Sequence, residues 1–372
     1  MTCPRVEVDL RKICQNAEVV VRRLKTRGIT VTGVTKAVCG HPAIAQAMLD
    51  GGALGLAEAR ITNVQRLRKA GITDPITLIR TPMLSQAAAV VELCEASYNT
   101  QMVVISALAD AAMRQDTVHG IILMVEMGDG REGIMPDDIA AIAQQVVAMP
   151  GVALQGIGAN FACLNGLAPE ATQMADLSAL AFQVEQHCGV SLKTVSGGNS
   201  ATLPWAFSSQ PTGRINDLRL GEAILLGVDP VNGTPIDSLH QDAFTLIAEV
   251  IEVQTKPRPA PVRFANPTLA KHLAPQRQDT HRLILALGRQ DTDISGLSMA
   301  LDHTLIGATS DHLVIGTTGP MPRVGSEIKF QMNYGALMQA MAAPDIKTEL
   351  GRNRPTPQSP NTASKRIDLI LA

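Results

Sequence analysis

The chain has 372 residues, enough for one large domain and a smaller one, and its 45% hydrophobic and 18% charged content is that of a globular protein. A net charge of −2 without a basic block, and only 2% aromatic residues, argue against nucleic acid as a partner. No apolar run reaches the ~18 residues of a membrane helix and the start is mixed polar, so neither a membrane partner nor a signal peptide is expected. The cysteines Cys3, Cys14, Cys39, Cys94, Cys163 and Cys188 form no C-x-x-C pair, and read as reduced thiols of a soluble cytoplasmic protein that acts on small molecules and holds no zinc.

In chain order, Leu10, Ile13, Cys14, Ala17, Val20, Val21 and Leu24 recur at helical spacing, which predicts an amphipathic helix over about 9–27 with Asp9 as its N-cap. The apolar run 29–35 predicts a strand that ends at Lys36. Pro42 then opens a helix, Gly51-Gly52 stops it, and 53–57 reads as a second short buried strand. Further strands are expected at 76–80, 96–98, 121–125, 152–158, 192–195 and 215–218, separated by helical stretches such as 106–115, 136–148 and 169–187. Eight β/α units of this length predict an α/β fold, a closed (β/α)8 TIM barrel over residues 1–230. Turn residues at 228–235 mark a boundary. Strands at 243–254, 282–287, 304–308, 312–316 and 327–333, with a proline-punctuated excursion at 257–267, predict a smaller, mainly β domain over 231–346, and 347–372 reads as a polar tail.

Residues just past the barrel strands converge on one rim. In this sequence they are Lys36, then Asp129 and Arg131, Asn160, the run Ser196-Gly197-Gly198-Asn199-Ser200, and Arg219 followed by Gly221 and Glu222. Burial at a strand end disfavours an ammonium, so a lysine there becomes a nucleophile towards aldehydes. The Ser-Gly-Gly-Asn-Ser run permits close backbone approach and then starts a helix, so its N–H groups and the Ser200 hydroxyl suit a phosphate dianion. Taken singly, the run is equally a turn with an N-cap, Arg219 a rim ion pair and Arg131 a solvated side chain. Taken together they point to pyridoxal 5'-phosphate (PLP).

These residues resemble the fold-type III PLP enzymes of the alanine racemase group, and among them the ornithine racemase branch. The likeness is carried by Pro4-Arg5-Val6-Glu7-Val8-Asp9-Leu10, Gly33-Val34-Thr35-Lys36-Ala37-Val38-Cys39-Gly40, the Ser196–Ser200 run and Leu218-Arg219-Leu220-Gly221-Glu222. In the second domain it is carried by Leu287-Gly288-Arg289-Gln290-Asp291 and Gly307-Ala308-Thr309-Ser310-Asp311-His312. The resemblance implies that Lys36 holds PLP, with Ser196, Asn199, Ser200 and the backbone near Gly221 and Glu222 about its phosphate, Asn160 beside the ring and Arg219 at the ring nitrogen. An arginine there leaves the pyridine unprotonated and a weaker electron sink. Arg131, Arg289 and Ser310 are the implied substrate-binding residues. A head-to-tail homodimer with shared active sites is implied as well.

One departure stands out. The family's second base is a tyrosine in a Gly-Tyr-x-Asp loop, and here that loop reads Gly288-Arg289-Gln290-Asp291. Racemisation removes the Cα proton on one face and delivers one on the other, so another acid is required. Asp291, Asp311, His312 and Cys39 are the candidates, with Asp291 and His312 ranked equally. The expected function is racemisation of a basic amino acid, foremost ornithine, whose terminal ammonium could meet Asp129, Glu132, Asp291 or Asp293. Alanine or broad-specificity racemisation, a lyase or aldolase on the same scaffold, and a non-catalytic PLP carrier remain as alternatives.

Overall fold

In the computed structural model, residues 4–255 and 281–351 are described. The chain forms two compact units. One runs over Leu10–Gln241; the other joins the opening segment, through Asp9, to the chain from Asp242 onward. The division falls at Gln241/Asp242 rather than at 230.

The first unit opens with α1 (Leu10–Lys25), which buries Ile13, Asn16, Ala17, Val20 and Leu24 at helical spacing. Eight parallel strands follow: β2 (Thr30–Val34), β3 (Gly55–Glu58), β4 (Ile76–Leu78), β5 (Ala96–Asn99), β6 (His119–Met124), β7 (Val152–Gly158), β8 (Thr194–Ser196) and β9 (Asp217–Leu220). They close in sequence order into a barrel, as the alternation of short apolar strands with helices predicts. The seam pairs β9 with β2 in the register Thr30↔Asp217, Thr32↔Arg219 and Gly33↔Leu220. Ala96, Tyr98, Ile122 and Met124 pack in the lumen, with Ile79 against them. Outside the barrel, the fully buried Asn16 amide donates to the carbonyls of Ile224 and His240, at 2.9 Å each, and accepts from the His240 N–H at 2.7 Å. This clamp satisfies backbone groups that would otherwise be buried unpaired.

The second unit is an antiparallel sheet of β10 (Phe244–Thr255), β11 (His281–Leu285), β12 (Leu297–Ser298), β13 (His303–Ala308), β14 (Leu313–Thr317) and β15 (Glu327–Met332), in the order β12-β15-β10-β11-β14-β13. Three features depart from the sequence reading. The opening segment is a strand, β1 (Arg5–Val8), paired antiparallel with β10 in this second sheet rather than with the barrel. Residues assigned to the tail form β16 (Lys347–Leu350), parallel to β1. A helix, Tyr334–Ala342, is capped by the Asn333 side chain, which accepts from the Ala336 N–H at 2.9 Å. The 257–267 excursion and the tail beyond Gly351 lie outside the described residues.

The chemistry of β1 explains its placement. Arg5 is 1% exposed. Its guanidinium meets Glu7 at 2.8 Å, Glu327 at 2.7 Å and Glu349 at 3.5 Å, on β1, β15 and β16 respectively. One buried cation thus ties three strands whose carboxylates would otherwise repel. Its neighbours Val6 and Val8 are buried in the same unit's apolar core.

His119, at the start of β6, is buried with Nε2 2.8 Å from the Ser97 hydroxyl. Burial pushes its pKa down to about 4. The folded value lies below the unfolded one of about 6.5, so the neutral ring stabilises nothing extra at high pH, and stability falls as pH drops through the window from about 6.5 to 4. We expect the denaturant midpoint to fall over that window, and the slope to flatten in His119→Gln. An equal acid slope in the variant would contradict the assignment.

Candidate active site

The turn after β2 presents Lys36, half-buried, in a single 3-10 turn, Lys36–Val38. The preceding residue, Thr35, is fully buried and donates through Oγ1 to Glu58 Oε2 at 2.9 Å, while Glu58 Oε1 accepts from the N–H of Ala59 at 2.7 Å and of Arg60 at 3.3 Å. Burial raises the Glu58 carboxyl; the Ala59 N–H, Asn63, Thr35 and the Arg60 N–H oppose the rise. Beyond the lysine, Cys39 sits in the left-handed region at φ 52°, unfavourable for a side chain with a Cβ. Arg66 clamps it by donating to the Cys39 carbonyl. The lysine is therefore held from both sides of its turn. The Cys39 thiol is raised by burial, with the Arg66 charge opposing, which keeps it protonated and unsuited to accept the Cα proton.

The loops after β6, β7 and β8 interlock. Asp129 Oδ1 accepts from the N–H of Cys163 and of Leu164, each at 3.0 Å, and Oδ2 from the Asn160 amide at 3.2 Å. Burial works against ionisation, yet the Leu164 N–H, the Asn160 amide, the Asn165 N–H and the Arg131 charge hold this carboxyl below the usual range. Asp129 is thus a buried loop brace, not an open partner for a substrate ammonium. Asn199 Nδ2 donates to Asn160 Oδ1 at 3.1 Å and to the Phe161 carbonyl at 2.7 Å, while its Oδ1 caps the next turn at Ala201 N. Arg131 is paired with its neighbour Glu132, which raises the arginine pKa further.

The Ser196–Ser200 run meets the start of the short helix Glu222–Leu226. The N–H of Ala223 donates to Ser200 Oγ at 3.2 Å, leaving the hydroxyl hydrogen available to an oxyanion. Gly198 has φ 106°, and a Cβ there would come within 2.9 Å of both Phe161 and Thr202; only glycine allows this loop to lie so close. The Glu222 carboxyl is pushed up to about 7 by burial and by Asp229, with Lys36 opposing. Its contribution to an anion site is therefore its backbone.

Arg219 points into the lumen and is 4% exposed. Nη2 donates to the Ala159 carbonyl at 2.7 Å, and Nη1 donates to Ser196 Oγ at 2.5 Å and to the Tyr98 hydroxyl at 3.1 Å. Ser196 in turn donates to Asp217 Oδ2 at 2.5 Å, and Thr32 donates to Asp217 Oδ1 at 2.7 Å. Glu58, Thr32, Tyr98 and Asp217 were not among the residues expected from sequence. The signal for Asp217 was its i, i+2 spacing from Arg219 on a strand.

In the second unit, the Gly288–Asp291 turn pairs with the 309–312 loop. The N–H of Arg289 donates to the Thr309 carbonyl at 2.9 Å and that of Gln290 to the Ser310 carbonyl at 3.1 Å. A Cβ at Gly288 would fall 1.9 Å from the Ser310 carbonyl oxygen, so glycine is required where the loops touch. Asp291 Oδ2 accepts from the Gly288 N–H at 2.7 Å, the Gln290 amide donates to Asp311, and Ser310 Oγ donates to Asp311 at 2.6 Å. Burial raises the Asp291 carboxyl, as do the charges of Asp311 and Asp345, against the Gly288 N–H. His312 is exposed. Asp293 caps a turn, accepting from the Ser295 N–H at 3.0 Å. The structure thus brings the expected residues together as two clusters, one in each unit.

Residues 8–230 match the family model described as alanine racemase, N-terminal domain. The chain belongs to the alanine racemase family. It is 35% identical to a lysine racemase of Thermotoga maritima, over 93% of this chain and 98% of that one. It is 30% identical to an ornithine racemase of Acetoanaerobium sticklandii, over 93% and 99%. Among solved structures, the alanine racemase of Streptomyces coelicolor A3(2) superposes with a TM-score of 0.75 at 19% identity, covering 94% of this chain and 98% of that one; this similarity shows the fold. Members of the family are PLP-dependent amino-acid racemases, and this chain is one.

The residues present suit PLP. A half-buried strand-end amine, a glycine cradle that a Cβ would fill and a hydroxyl with its hydrogen uncommitted lie on the loops that follow β2, β8 and β9. Among the described residues no helix is long and apolar enough to cross a membrane. We expect Ser200→Ala to weaken PLP binding roughly tenfold, the scale of one lost hydrogen bond to a charged group, in a fluorescence titration of the apo-protein. An unchanged Kd would place the phosphate elsewhere.

Proposed function

We propose that the enzyme racemises a basic amino acid with a terminal primary amine, ornithine or lysine, with Lys36 as the cofactor-holding base. The observation that carries this reading is that a chain with the Lys36 turn and the Ser200 cradle has, in its second unit, Arg289 where the alanine racemases have tyrosine. The two relatives at 35% and 30% identity, a lysine and an ornithine racemase, support the substrate class. When bound, PLP supplies the electron sink that acidifies the substrate Cα–H.

Lys36 takes or returns that proton on one face, and the Thr35–Glu58 hydrogen bond keeps its turn in place. Asn160 is oriented for the ring by Asp129 and Asn199. On the opposite face the Asp291 carboxyl serves as the acid. It is part-buried, and burial holds its pKa above the ordinary carboxylate value, the direction that favours a proton donor. His312, more exposed, is the secondary candidate. The substrate carboxylate falls to Arg131, with Arg289 and Ser310 contributed by the loop pair. In a head-to-tail homodimer that pair would come from the partner subunit.

The decisive assay follows loss of optical rotation from L-ornithine, L-lysine, L-arginine and L-alanine. The expected order puts ornithine and lysine at least tenfold above alanine in kcat/KM, a margin of about 1.4 kcal/mol. In the same assay Asp291→Asn should exchange the Cα hydrogen of one isomer with solvent, the isomer whose proton faces Lys36, while losing racemisation. Preference for alanine would overturn the substrate class, and full racemisation by Asp291→Asn would overturn the acid.

A further inference from the structure

The lumen below Arg219 is not filled. A cavity of about 420 Å³ opens at the N-terminal mouth of the barrel, bounded by Thr30, Pro75 and Asn216 at the strand starts and reaching Tyr98, Asp217 and Arg219 at its inner end. Barrel lumens of this size are ordinarily packed by layers of side chains. Here the guanidinium borders open space, and its placement rests on hydrogen bonds and on the Tyr98 ring.

Those bonds form a chain with a fixed polarity. Asp217 accepts at both carboxylate oxygens, from Thr32 Oγ1 at 2.7 Å and from Ser196 Oγ at 2.5 Å. A hydroxyl has one hydrogen. With that hydrogen committed to Asp217, Ser196 can present only a lone pair to Arg219 Nη1, which donates to it at 2.5 Å. The register adds rigidity, because Ser196 lies directly opposite Asp217 across β8 and β9, and Thr32 opposite Arg219 across the barrel seam. Asp217 also supplies a buried negative charge one hydroxyl away from a buried positive one. Tyr98 closes the other side, with its ring centroid 4.6 Å from the guanidinium carbon, and Gly158 leaves room for that ring, since a Cβ there would come within 3.0 Å of Tyr98 Cε1.

We propose that Asp217, acting through Ser196, is the positioning residue that fixes the Arg219 guanidinium for the cofactor ring. The proposal rests on the reading above, in which Arg219 faces that ring. Without Asp217 the Ser196 hydroxyl is free to rotate and the guanidinium loses both its anchor and its counter-charge. A purely structural role would be felt in stability alone. A positioning role is felt in the electronic environment of the bound cofactor.

The test compares wild type with Asp217→Asn, Ser196→Ala, the double variant and Ser196→Thr, each as purified full chain reconstituted with PLP. The readouts are the position of the visible absorption band, the Kd for PLP and the melting temperature of the apo-protein. The expected result is a shifted band and a roughly tenfold weaker Kd, the scale of one charge-assisted hydrogen bond, in Asp217→Asn and Ser196→Ala. The double variant should be no worse than either single one, because both break the same chain, and Ser196→Thr, which keeps the hydroxyl, should restore the wild-type band. Folded variants with the wild-type band and Kd would overturn the proposal. If Asp217→Asn fails to fold, Ser196→Ala decides it alone, since it cuts the link while leaving the carboxylate. A wild-type protein that shows no Lys36-dependent band would instead overturn the cofactor reading itself.

Discussion

Closure of the barrel by β9 against β2 is the constraint on which the candidate site depends. A strand alternates its side chains between two faces, so Asp217 and Arg219, two residues apart, both enter the lumen once β9 is locked into the parallel register Thr30↔Asp217 and Thr32↔Arg219. A slip of one residue would send both charges into the apolar layer between barrel and helices and bring Leu218 and Leu220 inside. The same closure sets Lys36, Ser200 and Gly221 at neighbouring strand ends. Site geometry and fold stability are therefore coupled at this seam.

The barrel departs from the usual packed lumen in a way that serves this arrangement. Ala96, Tyr98, Ile122 and Met124 form an apolar cluster, and Tyr98 and Ile122 also border an open cavity lined by threonines, a glutamine and the Asp217–Arg219 pair. Burying an arginine and an aspartate is costly unless every polar atom finds a partner. Ser196, Thr32, Tyr98 and the Ala159 carbonyl supply those partners. The opposite choice is made in the second unit, where Arg5 gathers three carboxylates and serves architecture alone.

Features encoded within a few consecutive residues were legible in the sequence. The end of β2 at Lys36, the glycine-serine run before Ser200, and the alternation of strands and helices all follow from local periodicity and turn chemistry. What escaped depends on partners distant in the chain. β1 reads as an extended lead-in until β10 and β16, more than two hundred residues on, are seen to flank it. Glu58 looks like an ordinary strand-end acid until Thr35 is found against it, and Asp217 looks like any residue of the last barrel strand until Thr32 and Ser196 are found on its carboxylate. Among the candidate anions the sequence could not separate ligands from braces. In the structure Asp129 accepts from two N–H groups and an amide and Asp293 caps a turn, while Asp291 accepts a single N–H on one oxygen and has a raised pKa.

The central claim is that the single half-buried amine at the end of β2 anchors the cofactor. Borohydride reduction of the PLP-loaded enzyme, followed by proteolysis and mass mapping, tests it most directly. The account requires the reduced pyridoxyl group on the peptide that contains Lys36, in about one copy per chain. A label on Lys193 or Lys329, or one spread over several lysines, would contradict it.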